Sequence, residues 1–139
     1  MTVRRIPVAV AALALLGATA CEKPAPQVTI ASSGRVINVD ARRYCFEPDD
    51  CRDHTVKSKS IRVRGDTTIS IDVPKRVAEK GWIVQLGDDP LFAEPRKESH
   101  YTLSIPRIAQ AQQVEVTISE AGGGSPPSGI WQLQFLFQE

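Results

Sequence analysis

Apolar residues recur at every second position in eight short stretches, and this alternation constrains the fold more than any other feature of the chain. QVTIA (27–31) sets Val28 and Ile30 on one face, and RVINV (35–39) does the same with Ile37 and Val39. SIRVR (60–64) alternates Ile61 and Val63 with charge. TTISIDV (67–73) points Ile69, Ile71 and Val73 one way and Ser70 and Asp72 the other. WIVQL (82–86), YTLSI (101–105), VEVTI (114–118) and IWQLQFLF (130–137) complete the set. Short period-two runs rich in Val, Ile, Thr and aromatics are strands with one dry and one wet face. Gly, Pro, Asp and Ser punctuate them. Two such sheets packed face to face bury both dry faces. The expected fold is therefore all-β, an immunoglobulin-like or fibronectin-like β-sandwich of about eight short antiparallel strands. A small closed barrel is the alternative. PKRVAEKG (74–81) is expected to form one helical turn, with Pro74 near its start and Gly81 past its end.

The N-terminus sets the compartment. Arg4 and Arg5 precede an almost wholly apolar run from Ile6 to Gly17. That run is shorter than the roughly 20 residues a membrane-spanning helix needs. A basic start, a short apolar run and then small residues form a secretory signal over 1–20. Ala18-Thr19-Ala20 suits an ordinary signal peptidase site. Small residues directly before Cys21 also suit a bacterial lipoprotein box, although Ala18 stands where such boxes usually carry Leu.

Three cysteines decide between the two readings. Cys45 and Cys51 are close enough to close a small loop, and exported chains meet oxidising conditions, so a Cys45–Cys51 disulfide is expected. Cys21 is then left over, and an odd cysteine in an exported chain needs an explanation. Lipid on Cys21 supplies it. The following EKPAP (22–26) reads as a short tether. The expected organisation is a lipoprotein signal peptide over 1–20, a tether over 21–26 and a sandwich domain over 27–139. The chain would sit on the outer face of the cell membrane, with free secretion as the alternative.

Composition narrows the partners. Without Arg4 and Arg5 the chain carries 15 basic and 16 acidic residues, which leaves no electrostatic footprint for nucleic acid. About 119 residues follow Ala20, one domain's worth.

The chemical candidates are few. YCFEPDDCRDH (44–54) gathers Cys45, Asp49, Asp50, Cys51, Asp53 and His54. Its C-x₅-C spacing is wider than zinc sites favour, and a disulfide consumes the thiolates zinc needs. The acids match no calcium loop. Ser125 and Ser128 lie in GGGSPPSG (122–129), which has no nucleophile-elbow pattern and no phosphate-loop Lys. His54 and His100 are the only histidines, and neither has an indicated partner. No catalytic residue, metal or cofactor is expected. Trp82 and Trp131 each begin an alternating strand and are expected in the core. GDDPLFAEPRKES (87–99) is a long connection with an apolar centre at Leu91 and Phe92 and charged flanks. These two residues either anchor a partner or cap the core from an irregular edge strand.

GRVINVDARRYCFEPDDC, ISIDVPKRVAEKGWIVQL and HYTLSIP together resemble a family of small actinobacterial lipoproteins, the domain of unknown function 2771. The resemblance spans Pro26 to about Ser119. It rests most on Tyr44-Cys45 with Cys51 following and on the strand–Pro–turn unit ending at Trp82. It implies a lipid-anchored envelope domain and brings no catalytic residues. The expected role is thus a non-enzymatic, lipid-tethered module that binds an envelope partner. The alternative is an envelope enzyme or small-ligand carrier with a site built from loops. Fold alone does not choose between them.

Overall fold

The computed structural model describes residues 21, 23–105, 112–122 and 124–138, so the expected signal peptide over 1–20 lies outside the described residues. The elements in order are β1 (Val28–Ser32), β2 (Arg35–Val39), β3 (Ala41–Glu47), β4 (Asp50–Asp53), β5 (Lys59–Arg64) and β6 (Thr67–Asp72). Then come α1 (Lys75–Lys80), β7 (Trp82–Leu86), β8 (Asp89–Pro90), β9 (His100–Ile105), β10 (Gln112–Glu120) and β11 (Gly129–Gln138). They build two sheets. One has the order β2-β1-β6-β9. The other has the order β4-β3-β11-β10-β7-β8, with β5 also paired to β11.

Period two explains the core. Along β11, Trp131, Leu133, Phe135 and Phe137 are buried while the residues between them are half-buried. Val28 and Ile30 of β1 and Ile69 and Ile71 of β6 close the interior from the other sheet, all fully buried. Both tryptophans are fully buried, as their strand positions imply.

The structure corrects the sequence reading in three places. First, the strands are not all antiparallel. β5 runs parallel to β11 over Leu133–Gln138, while β3 runs antiparallel to the same edge over Gly129–Trp131. A long central strand can thus serve two shorter neighbours on one edge. Second, the stretch expected only to close a small loop between the cysteines is a hairpin of the second sheet, β3–β4. Local pattern hides it, because β3 carries Arg42 and Arg43, its pairing shifts register between Cys45 and Glu47, and β4 reads DCRD. Third, the supposed tether is docked at its end. Ala25 packs against the core, and the Pro26 carbonyl accepts a bond of 2.8 Å from the Trp131 indole.

Two local devices shape the chain where it changes direction. Gly81 ends α1 at φ 88, and a side chain there would also stand 3.3 Å from the Pro95 Cβ. Only glycine meets both demands without strain. Asp40 sits where the chain leaves the first sheet for the second, between β2 and β3. Hydrogen bonds from Gln27 and then Lys59 hold its carboxyl below the ordinary carboxylate value. That depressed value means its contribution to stability is present above the unfolded carboxylate range and is lost as pH falls through the folded value. Lys59 also donates to the Asn38 carbonyl, so one ammonium ties β5 to the end of β2 and to the crossing residue.

Candidate functional site

One end of the sandwich gathers a pair of aromatic rings with cations over them and a buried carboxylate. The start of β1 lies beside the end of β6, since Thr29 pairs with Asp72, and α1 follows β6 directly. On the other sheet Gly129 at the start of β11 pairs with Tyr44 of β3. Pro26 joins the two layers through its bond to Trp131. This end therefore carries the N-terminal segment, α1 and the β3–β4 hairpin.

The hairpin is cross-linked. Cys45 and Cys51 are direct cross-strand partners and form the expected disulfide. Neither can then offer a thiolate to a metal. A loop this short gains about 2–2.5 kcal/mol by the chain-entropy estimate. Cys45→Ser should therefore lower unfolding free energy by about 2 kcal/mol in denaturant titration and leave export intact. Peptide mapping without reductant should recover a single Cys45–Cys51 linked pair.

Beside the disulfide, Tyr44 and Phe46 project together because they are two residues apart on one strand. Their rings meet edge to face at 5.1 Å, and Tyr44 leans on Trp131 at 6.1 Å. Three cations close over these rings. The Arg76 guanidinium is 5.1 Å from the Tyr44 centroid and 5.9 Å from Phe46. Arg52 lies 5.3 Å from Phe46, and Lys80 5.4 Å from Tyr44. The ring faces attract such charges. Arg76 also donates to the Pro24 carbonyl at 3.4 Å, which ties α1 to the N-terminal segment. The result is a groove of about 430 Å³ that also includes Lys23, with Glu47 and Asp50 on its rim. A second groove of about 460 Å³ runs between the disulfide and the 122–128 loop. A third, of about 760 Å³, runs between the N-terminal segment and His54.

A buried carboxylate supports this end. The Glu120 side chain has 0% exposure, and its Oε2 accepts from Lys80 at 3.2 Å and from the Ser128 hydroxyl at 2.6 Å. Its Oε1 has no hydrogen-bond partner among the described residues. Ser128 is thus a strut that holds the Gly-rich loop to β10. Glu120, Lys80 and Arg76 were not singled out in the sequence, and no local signal marks them. They meet only because β10, α1 and the loop converge here.

Other sequence candidates lie apart. Cys21 is exposed and free. His100 does have a partner. Its Nδ1 lies 2.7 Å from Asp72 and its Nε2 3.1 Å from Thr102, all on exposed parts of β6 and β9. His54 is half-buried, and its Nε2 has no hydrogen-bond partner among the described residues.

Leu91 and Phe92 are half-buried and pack against the core. Phe92 lies edge-on to Trp82 at 5.9 Å and to Tyr101 at 5.3 Å, with Arg96 stacked over Phe92 and Tyr101. Backbone bonds stitch the segment to β7. Leu91 N–H donates to Val84, Arg96 N–H to Trp82, and Trp82 N–H back to Arg96. The Trp82 indole donates to the Glu98 carbonyl at 2.8 Å. The pair packs on the core, as the irregular-edge alternative requires, while part of each side chain stays exposed. Phe92→Ala should cost about 2–3 kcal/mol, less than the full core penalty because the ring is partly exposed. Thermal melting checks this, and an unchanged melting temperature would contradict the capping role.

A family model described as a protein of unknown function (DUF2771) matches residues 21–133. No curated protein and no solved structure matches the chain. The match begins at the free cysteine, takes in the disulfide hairpin and α1, and runs into β11, so the chain belongs to the DUF2771 family.

Proposed function

We propose that this chain is an exported module, anchored to the outer face of the cell membrane by lipid on Cys21, that binds an envelope partner and is not an enzyme. The observation that carries the reading is the place of Cys21. It is exposed, stands outside the disulfide, and lies four residues before Ala25 packs against the core. A disulfide inside the domain fits an oxidising compartment. An immunoglobulin-like topology also fits. β6–β9 on one sheet and β7–β10–β11 on the other repeat the B–E and C–F–G pairings of that fold, with β1–β4 as an addition. Sandwiches of this kind commonly serve as cell-surface domains. Fractionation tests the anchor. The wild-type chain should pellet with membranes and leave them only with detergent, while Cys21→Ser should be soluble. Equal distribution of the two would contradict the reading.

The second reading, a small-ligand carrier or envelope enzyme with a loop-built site, draws support from the 460 Å³ groove beside the disulfide, which falls in the size range of ligand pockets.

A further inference from the structure

One sheet edge is left open. β9 pairs with β6 on one side, and among the described residues no strand flanks it on the other. The bonding pattern tells which of its groups are free. Val73 N–H donates to the Ser99 carbonyl, and Asp72 stands opposite His100. Bonded pairs alternate along an antiparallel ladder, so Tyr101, Leu103 and Ile105 turn their backbone groups toward β6. The N–H and C=O groups of His100, Thr102 and Ser104 therefore point away from the sheet. Among the described residues no backbone bond reaches them from another segment. Such a row is a template for one more strand.

The other edges are blunted. β2 begins at Arg35, and its Asn38 carbonyl is taken by Lys59. β4 reads DCRD, and β5 carries Lys59, Arg62 and Arg64. β8 is two residues long and ends in Pro90. Charge and proline are what keep edges from pairing. β9 reads HYTLSI, six residues with no Lys, Arg, Asp, Glu or Pro. Its His100, Thr102 and Ser104 side chains are exposed, while Tyr101 and Leu103 are half-buried against the core.

We propose that β9 pairs antiparallel with β9 of a second copy of this chain, with the two Thr102 residues facing each other across a two-fold axis. The self-complementary register selects a second copy. His100 of one copy stands opposite Ser104 of the other, so every open donor meets an open acceptor. On the core side Tyr101 of one copy meets Leu103 of the other and covers apolar surface that a single chain leaves partly exposed. A Thr–Thr pair is favourable, and no like charges stand directly opposite. The two four-stranded sheets then run on as one. With every other described edge blunted, pairing closes at two copies and does not grow into a fibre. Six residues make a small interface, so the dimer is a weak one.

The test uses the mature chain with Cys21→Ser, which has neither lipid nor a spare thiol. Sedimentation equilibrium from micromolar to millimolar protein should show a monomer–dimer equilibrium. Thr102→Lys, which sets two ammonium groups across the axis, should weaken the dimer about tenfold or more and leave the melting temperature of the dilute protein unchanged. Val36→Lys, on the exposed face of β2 at the opposite edge, should leave the dimer as it is. Thr102→Cys should cross-link two copies in air, which reports the register even if Thr102→Lys folds poorly. A monomer at every concentration would overturn the proposal and leave the edge to a strand of another protein. A dimer as tight with Thr102→Lys as without it, or one lost equally with Val36→Lys, would also overturn it. The tested chain carries no lipid, so the result is independent of the anchor on Cys21.

Discussion

Trp131→Ala should cost about 4–5 kcal/mol and lower the melting temperature by roughly 10–20 °C. The side chain is fully buried in the middle of the second sheet and touches Tyr44. Removing it leaves a cavity large enough that the sheets cannot close over it, which sets the upper range for core truncations. It also strands the Pro26 carbonyl, which loses its 2.8 Å indole donor. A domain of this size has only about 5–15 kcal/mol in hand, so much of the population would unfold near physiological temperature. Trp131→Phe separates the two contributions. It keeps most of the ring volume and loses the N–H, so it should cost about 1–3 kcal/mol. Proteolysis should then become faster in the Pro24–Gln27 segment before the rest of the domain. A Trp131→Ala protein that melts with the wild type would refute the assignment of this ring as the joint between the layers.

Lys80→Met should also be costly, at about 2 kcal/mol. Breaking a buried ion pair from one side leaves a charge without its partner, and the Glu120 side chain is entirely buried. Full penalties for that are about 3–5 kcal/mol, but Lys80 is 41% exposed and Ser128 still donates to the carboxylate. The methionine keeps the aliphatic stem, so lost packing is small. Adding Glu120→Gln should recover part of the loss, because the amide carries no charge to strand. The double-mutant cycle in denaturant titration should give a coupling of about 1 kcal/mol or more. Additive losses would show that the pair does not hold the end of the sandwich together.

How much of this was legible follows from what each residue encodes locally. β6 and β11 declare themselves because every second residue is buried and the run is uninterrupted. Pro74 and Gly81 bracket α1 in the sequence as they do in space. The β3–β4 hairpin does not declare itself, because its edge position leaves Arg42, Asp50 and Asp53 compatible with a strand or a turn. The parallel pairing of β5 with β11 has no local signature at all, since alternation fixes which face is dry and not which neighbour is bonded. Pro26 looked like tether because its partner, Trp131, lies 105 residues further on. The cluster of cations over Tyr44 and Phe46 is equally non-local. The cations come from β4 and α1 and the rings from β3, and in sequence each cation is an ordinary surface Lys or Arg. By contrast the odd cysteine was legible from counting, and the structure leaves Cys21 exposed once Cys45 and Cys51 have paired.

The central claim is that lipid on Cys21 holds this domain at the membrane. The most direct measurement is the mass of the N-terminal peptide of the mature protein isolated from membranes. The account predicts a peptide that begins at Cys21 and carries the added mass of an acylated glyceryl group. A peptide that begins at Cys21 with no added mass, or one that retains residues before it, would contradict the account.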